Sequence, residues 1–382
     1  MKKIGICACY DTRNYGSMLQ SLATQAIIDQ MGFNSEFIIY KKKKTLGFLL
    51  RQVPRLLNKN LMFDKMLVYK KKKALRKHPD IRKMELVREG AFKSFQKNYY
   101  KHFSPVYYGY AALCEGAKNY KSVVVGSDQL LTPGGLATNF YNLLFVPDEI
   151  NKVSYATSFG VDKIPIYQLK RTKDYLRRID HISVREVKGA QIVKEVSECE
   201  AKIVADPTLL LTREEWTNLI PEKKIVKTPY IFCYFLGENV QHREVAEQLK
   251  EATGLQIVCT PYLDSFVERD MTFGDKQLFD IGPDDFINLI RGAEYILTDS
   301  FHGSVFSILH HKKFVIFNRF TDGKHSRNSR IDSLCKLLDL EVCRFRGNVV
   351  LQIYEPIKYT SVDEKLHLLR SESLEFLQSA LS

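Results

Sequence analysis

The residue types and spacing best suited to chemistry lie in Thr298-Asp299-Ser300-Phe301-His302-Gly303-Ser304. An apolar strand-like run ends at Thr298, and a helical pattern starts near Phe301. Ser300, His302, Gly303 and Ser304 therefore fall at a helix N-terminus, where free backbone N–H groups and the helix dipole favour an anion. Glycine at 303 would let a ligand approach the backbone closely. The dipole disfavours a cation, so His302 is expected to be neutral, able to pass a proton or to donate a hydrogen bond to a phosphate. A polar cap with a satisfied histidine fits the spacing equally. Arg185 follows the run 181–184 and precedes Glu186. Arg319, Arg327 and Arg330, with Asn328 and Ser329, follow the run 314–317. Guanidinium groups so placed can grip a carboxylate or phosphate in bidentate fashion. A structural ion pair at Arg185 and surface charge at the other three are the plainer readings.

Two further loops are rich in hydrogen-bonding side chains, Asn14-Tyr15-Gly16-Ser17 and Gly126-Ser127-Asp128-Gln129. They suit a polar ligand such as a sugar. The first lacks a full G-x-G-x-x-G, and no G-x-x-x-x-G-K-[ST] occurs, which argues against a dinucleotide site and excludes a P-loop. The adjacent His310 and His311 lack the spacing for a shared metal and read as packing and capping. None of the eight cysteines forms a C-x-x-C pair, so a zinc knuckle or redox motif is not expected. Reduced, buried cysteines point to the cytoplasm. Neither a metal nor a cofactor is expected.

These loops need a scaffold. At 382 residues the chain exceeds the roughly 250–300 residues at which one core stops growing, so two domains are expected. Apolar runs at 4–10, 35–40, 122–125, 153–156, 181–184 and 203–205 alternate with helical patterns. These include 17–31, where Met18, Leu22 and Ala26, beside Leu19, Ala23 and Ile27, repeat as one inward stripe; 165–179; and 186–196. A polar, lysine-rich stretch around 211–228 interrupts the series. A second series follows, with strands at 230–236, 256–259, 295–298 and 314–317 and a long helix over 362–381. Alternation of this kind predicts an α/β fold with parallel sheets covered on both faces. Such sheets bind ligands beyond the carboxyl ends of their strands, where the loops above fall. The expected organisation is an N-terminal domain over 1–215, a C-terminal domain over 216–360, and a terminal helix over 361–382.

The net charge of +13 is localised. Residues 41–101 hold twenty Lys or Arg against four Asp or Glu, so the rest of the chain is slightly acidic. Four-lysine runs at 41–44 and 70–73 flank Leu46, Phe48, Leu49, Leu50, Val53, Leu56, Leu57, Leu61, Met62 and Phe63. That pattern fits an amphipathic element on an anionic membrane surface. A solvated helical insertion covering the sheet fits as well. No nucleic-acid module accompanies the charge, so nucleic acid is not an expected partner. No run reaches the ~20 apolar residues of a membrane span, and the N-terminus reads as strand and loop, not signal peptide.

Taken in order, several motifs resemble the polysaccharide pyruvyl transferase family. They are Asn14-Tyr15-Gly16 with Leu19-Gln20, Gly126-Ser127-Asp128-Gln129, Ser154-Tyr155-Ala156 with Ser158-Phe159-Gly160, Ile182-Ser183-Val184-Arg185-Glu186, Asp206-Pro207-Thr208, Thr298-Asp299-Ser300-Phe301-His302-Gly303 and Asn328-Ser329-Arg330-Ile331. The resemblance spans about residues 4–345. It implies two Rossmann-like domains facing a cleft, as in GT-B glycosyltransferases, with no metal requirement. It also implies phosphoenolpyruvate as co-substrate and a saccharide acceptor, which can be lipid-linked, with pyruvate attached as a ketal across two hydroxyls. By similarity, His302 and Arg185 form the catalytic pair. Ser300, Gly303, Ser304, Arg319, Ser329 and Arg330 would bind the donor in the C-terminal domain. Asn14, Tyr15, Ser127, Asp128, Gln129 and Ser158 would bind the acceptor in the N-terminal domain. The expected setting is cell-surface polysaccharide synthesis in the cytoplasm, peripheral to the inner membrane face. Two other functions fit the same chain: a GT-B-type glycosyltransferase using a nucleotide sugar, and a non-catalytic scaffold at a membrane surface.

Overall fold

β-branched and aromatic residues crowd the apolar runs, and most runs become strands buried on both faces; the run at 203–205 yields only the two-residue strand Lys202–Ile203, which is not fully buried. The computed structural model describes residues 3–43, 66, 69, 79–261, 267–319 and 328–382. The N-terminal half runs β1 (Lys3–Cys7), α1 (Tyr15–Gln30), β2 (Ser35–Lys41), α2 (Pro79–Tyr99), β3 (Phe103–Tyr108), α3 (Tyr110–Ala117), β4 (Tyr120–Val125), β5 (Asn151–Thr157), α4 (Leu169–Leu176), β6 (His181–Val184), α5 (Val187–Ser197) and β7 (Lys202–Ile203). Two short helices follow, α6 (Pro207–Leu210) and α7 (Arg213–Leu219). The C-terminal half runs β8 (Tyr230–Tyr234), α8 (Val240–Thr253), β9 (Gln256–Cys259), β10 (Lys276–Gln277), α9 (Pro283–Gly292), β11 (Tyr295–Thr298), α10 (Phe301–Leu309), β12 (Lys313–Ile316), α11 (Ser329–Leu338), α12 (Val349–Gln352) and α13 (Tyr359–Leu381).

The strands form two sheets, ordered β3-β2-β1-β4-β5-β6-β7 and β10-β9-β8-β11-β12. All their pairings are parallel. Each order reverses once, at β1/β4 and at β8/β11. Such a switch point opens a crevice beyond the carboxyl ends of its strands. The molecule thus has the expected α/β architecture of two Rossmann-like sheets, with one crevice in each.

Helix α1 joins the halves. Asn14 caps it, its side chain accepting from the Ser17 N–H at 3.0 Å. Gly32 beyond its end takes φ +85°, a conformation that favours glycine. The expected single inward stripe is corrected here: α1 is buried on nearly every face from Tyr15 to Ile28. The first sheet covers one side, and α9 and α10 of the other half pack on the rest. Its polar side chains turn inward on the helix itself: Ser21 Oγ donates to Ser17 O at 2.8 Å and Thr24 Oγ1 to Gln20 O at 2.8 Å.

Other elements depart from the sequence reading. The strand β3 was not expected. It is a sheet edge with Phe103, Val106 and Tyr108 exposed, so it carries no apolar run. The region 165–179 opens with a 3-10 turn, Ile166–Gln168, before α4. The terminal helix α13 returns to the first sheet: Asn151 Nδ2 donates to Ala380 O at 2.7 Å, and Ser373 Oγ accepts from Ala205 N at 2.9 Å. Within the basic region, α2 buries Ile81, Arg88, Phe92 and Phe95, so this part covers the fold. The surface-seeking stretch from Leu46 to Phe63 and the lysine run 70–73 lie outside the described residues, as does Arg327. Among the described residues, no helix is long and apolar enough to cross a membrane.

Candidate active site

The carboxyl ends of β4, β6 and β7 deliver three side chains to one buried point. Arg185 leaves the end of β6. Its Nη1 donates to Asp206 Oδ2 at 2.6 Å and to Ser127 Oγ at 3.2 Å, and its Nη2 donates to Asp128 Oδ1 at 3.3 Å. The guanidinium also lies 4.7 Å from the ring centroid of Phe301, a cation–π contact reaching from the second half of the chain. Asp206 is the N-cap of α6. Its Oδ1 accepts from Thr208 N at 3.0 Å and Thr208 Oγ1 at 2.6 Å, and its Oδ2 accepts from Ser127 Oγ at 2.6 Å. Asp128 accepts from Ser17 Oγ at 2.5 Å and adopts φ +85°, a strained conformation for a residue with a side chain. Its carbonyl holds it there, accepting from Leu130 N at 2.8 Å and Ser158 N at 2.9 Å.

His302 closes this cluster from the second half. It lies in the first turn of α10, 6 % exposed, with Nε2 3.8 Å from Asp206 Oδ1. The ring rests on the backbone of α1: a Cβ at Gly16 would lie 2.0 Å from His302 Nδ1. Glycine at 16 is thus a condition of the two halves meeting. Burial pushes the imidazole down to about 4, outweighing the pull of Asp206. His302 is neutral, as expected, but desolvation is the main reason. Burial pushes the Asp206 carboxyl up, yet Arg185, His302 and the Ser127 and Thr208 hydroxyls hold it below the usual range. Asp128 follows the same pattern: Arg185, His302, Ser17 and Arg330 outweigh burial. Glu186 goes the other way, raised by burial despite Arg185, Ser158 and Arg330. Arg330 is drawn down to about 9 by burial and by the neighbouring Arg185, so it remains a cation at neutral pH.

Among the described residues, this cluster leaves Gln129 Nε2, Arg185 Nε, Glu186 Oε2 and His302 Nε2 buried without hydrogen-bond partners. A buried polar atom left unpaired costs about 1–3 kcal/mol. Each such atom calls for an explanation, such as a strained site, a catalytic role, or a bound water or ion.

A family model described as polysaccharide pyruvyl transferase matches residues 14–319. The chain belongs to the polysaccharide pyruvyl transferase family. Among curated proteins, none matches it in sequence. Among solved structures it is similar to UDP-N-acetylglucosamine 2-epimerase from Rickettsia bellii, at 11% identity and TM-score 0.50, covering 100% of this chain and 97% of that one. It is also similar to UDP-GlcNAc 2-epimerase from Methanocaldococcus jannaschii, at 10% identity and TM-score 0.49, covering 97% and 99%. The likeness to the Rickettsia enzyme is one of fold, and that fold is GT-B-like.

In this pyruvyl transferase family member, residues expected on opposite sides of the cleft, His302 and Arg330 with Arg185, Ser127 and Asp128, come together. Several expectations need correction. Tyr15 does not face a ligand. It is 2 % exposed and stacks on Phe286 at 4.9 Å, with Tyr234 at 5.7 Å, fastening α1 to the second half. Gly303 does not open the backbone to a ligand, because a Cβ there would lie 2.6 Å from Thr298 Oγ1; glycine lets α10 pack on β11. Ser300 Oγ accepts from Gly303 N at 3.3 Å, and Ser304 Oγ donates to Ser300 O at 3.0 Å, so the helix start uses these hydroxyls on itself. Arg319 Nη2 donates to Asp299 O at 3.0 Å, and its charge faces Arg330. Ser158 Oγ accepts from Gly160 N at 3.2 Å and neighbours Glu186. Asn14, Gln129, Ser329 and Arg330 form the half-buried rim.

Two buried carboxyls of the cluster, Asp206 and Glu186, were quoted among the motifs but not assigned to the site. Asp206 looks like a plain helix cap before proline, and it is one, but its second oxygen serves Arg185. Glu186 looks like the first acid of a helix, yet it makes no capping bond. The usable signal in each case was its place beyond a strand end.

At the second crevice, β8/β11, backbone donors are bonded within the chain. Asp299 Oδ1 accepts from Leu236 N at 2.7 Å and Oδ2 from Gly237 N at 2.8 Å. A Cβ at Gly237 would lie 2.9 Å from Asp299 Oδ2. The backbone donors that could cradle a phosphate there are taken by the chain's own carboxylate.

Proposed function

We propose that the protein moves pyruvate from phosphoenolpyruvate onto a saccharide, as a ketal across two hydroxyls, in the making of a cell-surface polysaccharide. The observation that carries this reading is a site with two guanidinium groups, Arg185 and Arg330, beside a neutral imidazole, His302, where the two halves meet. Phosphoenolpyruvate bears a carboxylate and a phosphate on three carbons. It calls for two cationic anchors a short distance apart and a group that exchanges protons at neutral pH. Arg330 faces Arg185, Asp128 and Glu186 and supplies the second guanidinium; Nη1 and Nη2 of Arg185 are fixed by Asp206, Ser127 and Asp128, which keep it in place. Once the methylene is protonated, the enol carbon is electrophilic and takes up the sugar hydroxyls, with His302 accepting a hydroxyl proton. The rim residues Asn14, Gln129 and Asp128 are suited to sugar hydroxyls. No metal or cofactor enters this scheme. The nucleotide-sugar alternative has less in its favour, because Asp299 already takes the backbone donors of Leu236 and Gly237 beyond the second sheet. The basic region 41–101 supports a place on an anionic membrane face, each lysine near it contributing ~1 kcal/mol, and a lipid-linked acceptor would suit that place.

Thermal-shift titration tests the reading. Phosphoenolpyruvate at a hundred times its Kd stabilises the protein by about 2.7 kcal/mol, and a nucleoside diphosphate leaves it unmoved. His302→Ala keeps the phosphoenolpyruvate shift and loses transfer on the order of 10²–10⁴-fold. Stabilisation by the nucleotide alone, or normal turnover by His302→Ala, would overturn it.

A further inference from the structure

We propose that Glu186 is the residue that protonates the methylene carbon of phosphoenolpyruvate, an assignment that rests on the pyruvyl-transfer reading above. Glu186 sits at the N-cap of α5, where an acidic side chain ordinarily accepts from the second or third helical N–H. Here it makes no such bond. The carboxyl is turned into the cluster and is 3 % exposed. Its Oε2 lies 3.9 Å from Arg185 Nε, and among the described residues neither atom has a hydrogen-bond partner. The other two nitrogens of that guanidinium are spent on Asp206, Ser127 and Asp128. The atom pair without partners therefore marks the face of Arg185 still open to a ligand, and a carboxyl stands on it.

The groups facing Glu186 decide its state. Arg185 beside it, Arg330 from α11 and the Ser158 hydroxyl beyond β5 favour the anion; burial and Asp128 beyond β4 favour the acid, and burial prevails. Of the three carboxyls in the cluster, Asp128 and Asp206 are held as anions and Glu186 is shifted towards the acid. Environments that push like groups apart in this way divide the roles of acid and electrostatic support. The imidazole of His302, neutral because it is buried, is suited to take a proton.

The step balances without an external reagent. The Glu186 O–H bond breaks as the enol electron pair forms a C–H bond at the methylene, which becomes the methyl. The first sugar hydroxyl bonds to the carbon left electron-poor, and its proton returns to Glu186. The carbon–oxygen bond to phosphate then breaks, its electron pair leaving with the phosphate. The second hydroxyl bonds to the same carbon, and its proton passes through His302 to the phosphate. Of the two hydroxyl protons, one ends on the methyl and one on the phosphate.

The test uses the full chain with phosphoenolpyruvate, in two assays. One follows deuterium entering its methylene in D₂O by NMR; the other follows phosphate release with a panel of methyl hexopyranosides as acceptors. Glu186→Gln is expected to bind phosphoenolpyruvate with a normal thermal shift while both rates fall on the order of 10²–10⁴-fold. Glu186→Asp is expected to recover part of the rate and to move the alkaline limb of the pH profile, since activity is lost as pH rises through the pKa of the donor. Wild-type rates in Glu186→Gln, or loss of its phosphoenolpyruvate shift together with its activity, would overturn the assignment and leave the pyruvyl-transfer reading intact. Wild-type protein that shows no phosphoenolpyruvate shift, or neither exchange nor phosphate release, would overturn both.

Discussion

The two crevices of this molecule are built alike and used differently. Each lies at a switch point of a parallel sheet, and each places a buried aspartate near a neutral histidine: Asp206 with His302, Asp299 with His242. At β8/β11 the aspartate spends its oxygens on the backbone donors of Leu236 and Gly237, which fixes the loop. At β1/β4 the carboxylates spend theirs on a guanidinium and hydroxyls. Among the described residues, Gln129, Arg185, Glu186 and His302 keep unpaired atoms at the first crevice, against His242 and Thr260 at the second. The second half therefore contributes chiefly by lending His302, Phe301 and Arg330 to the crevice of the first. A switch point marks where a ligand can bind; what its carboxylates already hold decides whether one does.

Removing each aspartate breaks that comparison most severely. Asp206→Ala leaves Arg185 buried without the nearest of its three acceptors, and loss of one member of a buried pair costs about 3–5 kcal/mol. Transfer should vanish even in the fraction that stays folded. Asp299→Ala strands two backbone N–H groups at about 1–3 kcal/mol each, yet the folded fraction should still bind phosphoenolpyruvate and release phosphate. Denaturant melts paired with phosphate-release rates measure both. If Asp299→Ala abolishes transfer with the fold intact, the second crevice takes part directly and the contrast fails.

The same contrast shows why the sequence revealed some of this site and hid the rest. Strand–helix alternation was plain, and so was the position of His302, Arg185, Ser127 and Asp128, because each follows a strand and ligands gather at strand ends. The convergence of these residues was not legible. The bond between Asp206 and Arg185 depends on the parallel pairing of β6 and β7, in which Val184 lies beside Ile203. Tyr15 looked like part of a polar loop because its neighbours are polar; its partners Phe286 and Tyr234 come from the far half of the chain. The stripe on α1 misled for a related reason. The reading followed the apolar residues alone, but Ser21 and Thr24 are buried too, their hydroxyls satisfied by the helix's own carbonyls, which makes burial inexpensive.

A smaller change sharpens the claim that the second half lends its histidine. Gly16→Ala places a methyl 2.0 Å from His302 Nδ1, so the ring must move or the halves must part. Overpacking of this kind costs about 1–3 kcal/mol. A shift of about 1 Å in a catalytic group can cost on the order of 10²-fold in rate. In a His302→Gly background, where the ring and its Cβ are both gone, Gly16→Ala should cost far less stability, and a double-mutant cycle reads the coupling. Additive effects would mean that the close approach of Gly16 and His302 has no energetic weight.

The smallest effect separates the two histidines by pH. Burial lowers both His302 and His242 from 6.5 to about 4. In this window the unfolded chain binds more protons than the folded one, so stability is complete above about 6.5 and is lost as pH falls towards 4. By that linkage each ring weakens the fold by about 1 kcal/mol at pH 5.5 relative to pH 7.5. His302→Gln and His242→Gln should each flatten the acid side of the stability profile by that amount, since glutamine keeps a polar side chain that does not titrate. Transfer should separate them: at neutral pH His242→Gln retains it, whereas His302→Gln does not. Equal loss of transfer in the two variants would show that the histidine of the second crevice also reaches the reacting groups, and the division of labour between the halves would have to be abandoned.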